Sequence, residues 1–197
     1  MASKPSGRPS SSSGDAKKTP PQMVYRADSR PPSEIFKNGF KPRGGASGDD
    51  DLLAHVVGGE NLLKTGLIST SQSLRIPPLF LKPIPKQDGS LDMYGPDAHT
   101  VYTRRGGWVY YINTTNLDMV YVPDKLPQKT KYLYQQEWAV KSPIPGSNIR
   151  LAHHVEGYMR RYQDFKDPIR GPDALFPVDK PDPFKEKIEN PNYAFKK

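Results

Sequence analysis

The chain has 197 residues, 35% of them hydrophobic, a formal net charge of +8 and no cysteine. That length holds one ordinary domain with tails, and so low an apolar share argues that part of the chain stays outside any core. The lack of cysteine excludes disulfides, thiolate chemistry and Cys-ligated zinc and suits a reducing compartment; the four histidines form no metal-ligand spacing, and no apolar run reaches the ~18 residues of a membrane span.

Residues 1–22, "MASKPSGRPSSSSGDAKKTPPQ", are dominated by Ser, Pro, Gly and Lys. Such a segment buries too little to offset chain entropy and reads as a disordered tail. It has no apolar h-region, so it is not a secretory signal peptide. Lys4, Arg8, Lys17 and Lys18 against Asp15 leave it at +3, the charges from Asp167 onward cancel, and the middle of the chain carries +5. A basic middle suits nucleic acid, phosphates or an acidic protein surface.

Order is predicted to begin at "MVYRADSRPP", with a short strand from Met23 to Arg26 that the Pro pair ends. "SEIFKNG" predicts a short helix with Ser33 as N-cap, Glu34 at the positive end of the dipole and Gly39 after the last turn. After the loop "KPRGGASG", "DDDLLAHVVGG" predicts a second short helix, and "LISTSQS" a strand rich in β-branched residues. "LRIPPLFLKPIPKQDGSLDMYGPDAH" holds too many prolines for a helix and is expected to be an extended loop. "GWVYYINTT" and "DMVYV" predict strands joined by a polar turn at Asn116. "PDKLPQKTKY" is a loop made basic by Lys125, Lys129 and Lys131. "YQQEWAVKS" and "IRLAHHVEGYM" are the last predicted strands. Residues 161–197 return to Pro and charge and are expected to lie extended, anchored by Phe176, Phe184, Tyr193 and Phe195. The pattern is α+β and β-rich, with no βαβ alternation and no GxGxxG or Walker run.

Within "YQQEW", Gln135 and Glu137 stand two apart. An extended strand points i and i+2 to one face, which makes them either a reacting pair or two polar residues on the wet side of a strand.

"VYRADSRPPSEIFKNGFKPRG", "DDLLAHVVGG", "LISTSQSLR" and "YQQEWAVKSPIPGSNIR" together resemble, in order and rough spacing over about residues 23–155, the catalytic domain of pertussis- and cholera-type mono-ADP-ribosyltransferase toxins, the pertussis branch most of all. The resemblance implies a catalytic domain over residues 23–160, with two β-sheets and an NAD cleft between them. It also implies transfer of ADP-ribose from NAD to an acceptor, with loss of nicotinamide. NAD is then the substrate and no metal is required. Arg26 matches the arginine that binds NAD; a guanidinium offers phosphate paired donors that Lys cannot copy. Arg30 is assigned to a structural pair with Asp28. Ser69 matches the serine that braces the catalytic carboxylate, and His55 the helix histidine near the cleft. Glu137 matches the indispensable glutamate, placed to stabilise positive charge that develops on the ribose.

Gln135 departs from the arginine-specific members, which carry Glu at this position. An amide cannot act as a base; it only donates and accepts hydrogen bonds. Arginine is therefore disfavoured as acceptor, and a different side chain of a target protein is expected. The alternative is a guanine base in DNA or RNA, which the basic middle also suits. A catalytically inactive binding module is a further alternative, against which the joint presence of Arg26, Ser69, Gln135 and Glu137 speaks. Tyr132 is the candidate for acceptor recognition. The lack of a signal peptide and disulfide points to an effector that leaves the cell by another route, or to a cytosolic enzyme; a monomer is expected.

Overall fold

The computed structural model describes residues 18–45, 48, 50–57, 64–97, 100–126, 135–160, 175–177 and 179–195. Among these residues lie nine strands in one hydrogen-bonded ladder. They are β1 (Met23–Asp28), β2 (Ile68–Ser71), β3 (Lys82–Pro83), β4 (Met93–Asp97), β5 (Thr100–Asn113), β6 (Met119–Tyr121), β7 (Glu137–Val140), β8 (Ile149–Arg160) and β9 (Phe184–Glu189). Three short helices accompany them: α1 (Pro32–Asn38), α2 (Leu52–Val57) and α3 (Val122–Lys125). The strand order is β6-β7-β2-β1-β5-β8-β9, with β3 and β4 also pairing to β5.

The ladder consists of two blades. The long blade is β1, β5, β8 and β9; β5 and β8 pair antiparallel from Tyr102↔Arg160 to Ile112↔Ile149. The short blade is β2, β7 and β6. One register pair, Tyr25↔Ser71, joins β1 to β2, whereas all six residues of β1 pair with β5. Beyond Tyr25 the two strands part, so the two sheets implied by the resemblance are blades that stay attached at one point. The opening between them begins at Arg26 on one side and Ser69 on the other.

Alternation along β5 divides the core. Tyr110 and Ile112 pack on one face with Val24, Ile35, Phe36, Phe40, Trp138 and Ile149. Val109 packs on the other with Ile76, Leu79, Leu81, Val155, Met159 and Leu175. Successive strand side chains point to opposite faces, and here both faces are covered, so both parities are apolar.

Local departures from the predicted elements have clear causes. Pro32 does not end a strand; it opens α1 behind Pro31, where its fixed φ is already helical and its missing N–H is no loss. Ser33 is accordingly inside the helix and Pro31 takes the N-cap position. The proline-rich run forms a 3-10 helix, Pro77–Phe80, whose apolar residues cover the Val109 face, followed by β3 and β4. Beyond 160, the described part of the C-terminal segment adds the edge strand β9 against β8 and buries Leu175 beside Leu79.

Two glycines explain why distant motifs pack together. A Cβ on Gly39 would stand 2.0 Å from the Ile144 carbonyl oxygen, and one on Gly146 would stand 2.1 Å from the Phe36 carbonyl oxygen. The "NGF" turn and the "IPGSNI" turn therefore interlock backbone to backbone, tied by the reciprocal bonds of Phe40 and Ile144 at 2.9 Å.

Candidate functional site

The opening between the blades is a cleft of about 340 Å³, within the roughly 300–1,000 Å³ of small-molecule sites. Arg26, His55, Ser69, Gln135 and Glu137 all line it. These residues lie far apart in the chain. Tyr132, Lys129 and Lys131 lie outside the described residues.

Arg26 sits on β1 where the ladder opens. Its Nη1 donates to the Ser69 carbonyl oxygen at 2.7 Å and spans the gap between the strands. Its guanidinium lies over the Phe40 ring at 5.3 Å. Burial pushes its pKa down to about 10, against the opposing pull of Asp28; the group remains a cation at neutral pH. Its Nε is buried with no hydrogen-bond partner among the described residues.

His55 comes from α2, where the "LLAH" spacing turns it inward. Its Nδ1 is 3.1 Å from Thr65 Oγ1 and its Nε2 is 2.7 Å from Ser69 Oγ. The same Nε2 lies 3.4 Å from Glu137 Oε1. Ser69 and Glu137 therefore both converge on one histidine nitrogen. Glu137 is 5% exposed, and its Oε1 has no hydrogen-bond partner among the described residues. A buried carboxylate oxygen with only this 3.4 Å contact and no hydrogen bond calls for an explanation such as a ligand or a catalytic role.

Gln135 and Glu137 reach the cleft by a route that strand alternation does not describe. β7 starts at Glu137, and Gln135 sits in the turn before it. Gln136 between them has φ 46°, in the left-handed region, where a residue with a Cβ pays of the order of 1–2 kcal/mol. The turn is held by its neighbour strand. Ser71 Oγ donates to the Gln135 carbonyl oxygen at 2.6 Å, and the Gln72 backbone N–H donates to the Gln136 carbonyl oxygen at 3.1 Å. Thr70 Oγ1 donates to the Trp138 carbonyl oxygen at 2.7 Å. In "STS", the first serine faces the histidine and the other two hydroxyls fix the 135–138 segment.

Arg30 lies outside the cleft. Its guanidinium holds both oxygens of Asp28, at 3.0 and 2.9 Å, and reaches Glu34 at 3.3 Å. Burial would raise the Asp28 carboxyl, but these bonds to Arg30 outweigh it and hold the pKa below 3.8.

Sequence reasoning missed Lys41, Arg43 and Phe80, which also line the cleft. Lys41 and Arg43 follow the "NGF" turn and add positive charge to the rim, with no ion-pair partner among the described residues. Phe80 closes the 3-10 helix and is 54% exposed, an aromatic face at the cleft edge. The available signals were two cations beside a glycine-rich loop and an aromatic in a proline-broken run.

Residues 19–80 match the family model described as pertussis toxin, subunit 1. The pertussis toxin subunit 1 homolog of Bordetella parapertussis is 38% identical over 153 residues, 69% of this chain and 54% of that protein. Pertussis toxin subunit 1 of Bordetella pertussis is 38% identical over 66 residues, 32% of this chain and 23% of that protein. The chain thus spans about half or less of the length of these curated relatives. Scabin toxin from Streptomyces scabies, solved in complex with NADH, superposes with a TM-score of 0.53 at 19% identity, covering 87% of this chain and 74% of scabin. The architecture is the scabin-like ADP-ribosyltransferase fold.

Proposed function

We propose that this chain, which carries a pertussis-type ADP-ribosyltransferase domain, is a toxin-like NAD-dependent mono-ADP-ribosyltransferase that modifies a side chain other than arginine on a target protein. One observation carries the reading. A buried glutamate oxygen and a buried arginine Nε, both without hydrogen-bond partners among the described residues, belong to two groups that line one cleft, with a glutamine amide beside them. The scabin neighbour with NADH supports NAD as the occupant.

The chemistry assigns the groups. The bond between ribose C1′ and the nicotinamide nitrogen breaks, and its electron pair leaves with neutral nicotinamide. Positive charge then builds at C1′ and the ring oxygen. Glu137, placed at the ribose 2′-hydroxyl, stabilises that charge in a site where water is scarce. His55 and Ser69 hold Glu137 and the ribose in place. Arg26, with Lys41 and Arg43 at the rim, meets the diphosphate. Phe80 offers a ring face to the nicotinamide. The acceptor atom then bonds to C1′ and loses its proton to solvent, and the Gln135 amide orients the acceptor without taking that proton.

Lys41 and Arg43 favour a second reading, in which the acceptor is a guanine base and the cationic rim also meets a nucleic-acid phosphate. The base would have to be unstacked or single-stranded. Incubation with NAD labelled in the adenylate and a cell lysate separates the two. Label that resists nuclease and is lost to protease is the expected result. Label that resists protease and is lost to nuclease replaces the protein acceptor with the base. No release of nicotinamide under any condition rejects both.

A further inference from the structure

The left-handed residue inside "YQQEW" is held from outside the cleft. The Gln72 side chain makes two hydrogen bonds there: Nε2 donates to Gln136 Oε1 at 3.0 Å, and Oε1 accepts from the Trp138 indole N–H at 3.2 Å. Its backbone N–H adds the bond to the Gln136 carbonyl oxygen at 3.1 Å. Gln72 thus grips the residues on either side of Glu137. Neither Gln72 nor Gln136 lines the cleft, so neither touches a bound substrate there.

The two members of the pair depend on this grip differently. Glu137 is within β7 and is fixed by its register with Ser71. Gln135 lies before the strand, and its direction follows from the φ of 46° at Gln136. If Gln136 relaxed to ordinary extended backbone, the Glu137 position would survive in the ladder while the Gln135 amide would swing.

We propose that Gln72 is a positioning residue for acceptor transfer: by latching Gln136 and Trp138 it aims the Gln135 amide at the acceptor, while Glu137 keeps its place without it. This rests on the transferase reading above, in which Glu137 serves the ribose and Gln135 the acceptor. It divides the reaction into two parts. Cleavage of NAD by water needs Glu137, and transfer to an acceptor needs the Gln135 aim as well.

The test uses the full chain with Gln72→Leu, which keeps the side chain's bulk and removes its hydrogen bonds, and Gln72→Glu. A Glu oxygen still accepts from the Trp138 indole, and a second accepts from the Gln136 amide once that amide rotates. NAD hydrolysis without acceptor, transfer of label from adenylate-labelled NAD to the protein of a cell lysate, KM for NAD and hydrogen exchange of the Trp138 indole N–H are measured together. For Gln72→Leu, the ratio of transfer to hydrolysis is expected to fall on the order of tenfold or more, as misplacement of a positioning group does. Its KM for NAD stays within about twofold, and the Trp138 N–H exchanges faster. Gln72→Glu recovers the ratio. A parallel loss of hydrolysis and transfer would mean a merely structural role and overturns the proposal, as does no change in the ratio. If the unaltered chain cleaves no NAD, the transferase reading falls by itself. The latch is then judged by the Trp138 N–H alone: faster exchange in Gln72→Leu upholds it, and unchanged exchange removes it.

Discussion

The long and short blades are built on opposite terms. β5 and β8 run 14 and 12 residues and bury apolar side chains on both faces, with Val109, Tyr110, Ile112, Ala152 and Val155 each 0% exposed. β2 and β7 run four residues each, and between them Thr70, Ser71 and Glu137 are buried polar groups, with Gln135 just before β7. The long blade supplies stability through area removed from water. The short blade has its polar groups hydrogen-bonded across the ladder, except at the buried Glu137 oxygen beside His55. The cleft exists because these two surfaces are joined at one pair, Tyr25↔Ser71, and a guanidinium bridges the rest.

If that division of labour holds, substitutions of the polar groups that line the cleft change rate more than stability, and those of the apolar residues buried on β5 and β8 do the reverse. Glu137→Gln gives the largest effect. Transfer should fall by a factor on the order of 10²–10³ or more, comparable to removing a group that stabilises transition-state charge. Thermal unfolding should show stability changed by about 1 kcal/mol or less, because the amide keeps the side chain's shape and the altered oxygen makes no hydrogen bond, only the 3.4 Å contact with His55. A large loss of stability would break the comparison.

Arg26 sharpens it through pH. Its pKa is pushed down to about 10 by burial, so the cation proposed to meet the diphosphate is lost as pH rises through that value, below the usual arginine range. Affinity for ADP-ribose, measured by calorimetry, should be level below pH ~10 and then fall about tenfold per unit. Circular dichroism on the same samples separates this from unfolding.

Ile112→Val lies in the long blade, fully buried. It should cost about 0.5–1.5 kcal/mol of stability in denaturant titration, with kcat and KM of the folded protein unaltered. The smallest effect belongs to the Asp28–Arg30 pair at the end of β1. The folded Asp28 carboxyl lies below 3.8, so its contribution is complete above that pH and is lost as pH falls through the lower folded value. Arg30 is 42% exposed, which limits the pair to no more than about 1 kcal/mol. Asp28→Asn should flatten the acid limb of the stability curve by that amount and leave the rate at neutral pH unaltered.

Much of this was legible along the chain. β-branched and aromatic runs between turn residues marked β1, β2, β5, β6, β7 and β8, and Gly39 stood out as the end of a helix. The resemblance picked out Arg26, His55, Ser69, Gln135 and Glu137, and all five line one cleft. The Pro32 start of α1 was misread because Pro at N1 and Pro after a strand look alike until the helix is seen. Lys41, Arg43 and Phe80 carried only weak signals, since cations beside a glycine loop and one aromatic among prolines describe most surfaces.

The sequence by itself determined six of the strands, the first two short helices, the absence of thiol chemistry and the identity of the polar groups available, because each depends on local propensity and side-chain chemistry; β3, β4, β9 and α3 formed in segments that read as loop or tail. Only the tertiary structure decided that β1 and β2 part after one pair, that the glutamate oxygen is buried without a hydrogen bond, and that Gln135 and Glu137 share a cleft through a left-handed turn. Those depend on contacts between residues tens of positions apart, above all the Gln72 and Ser71 bonds across the ladder. Residue spacing within "YQQEW" carries no trace of them.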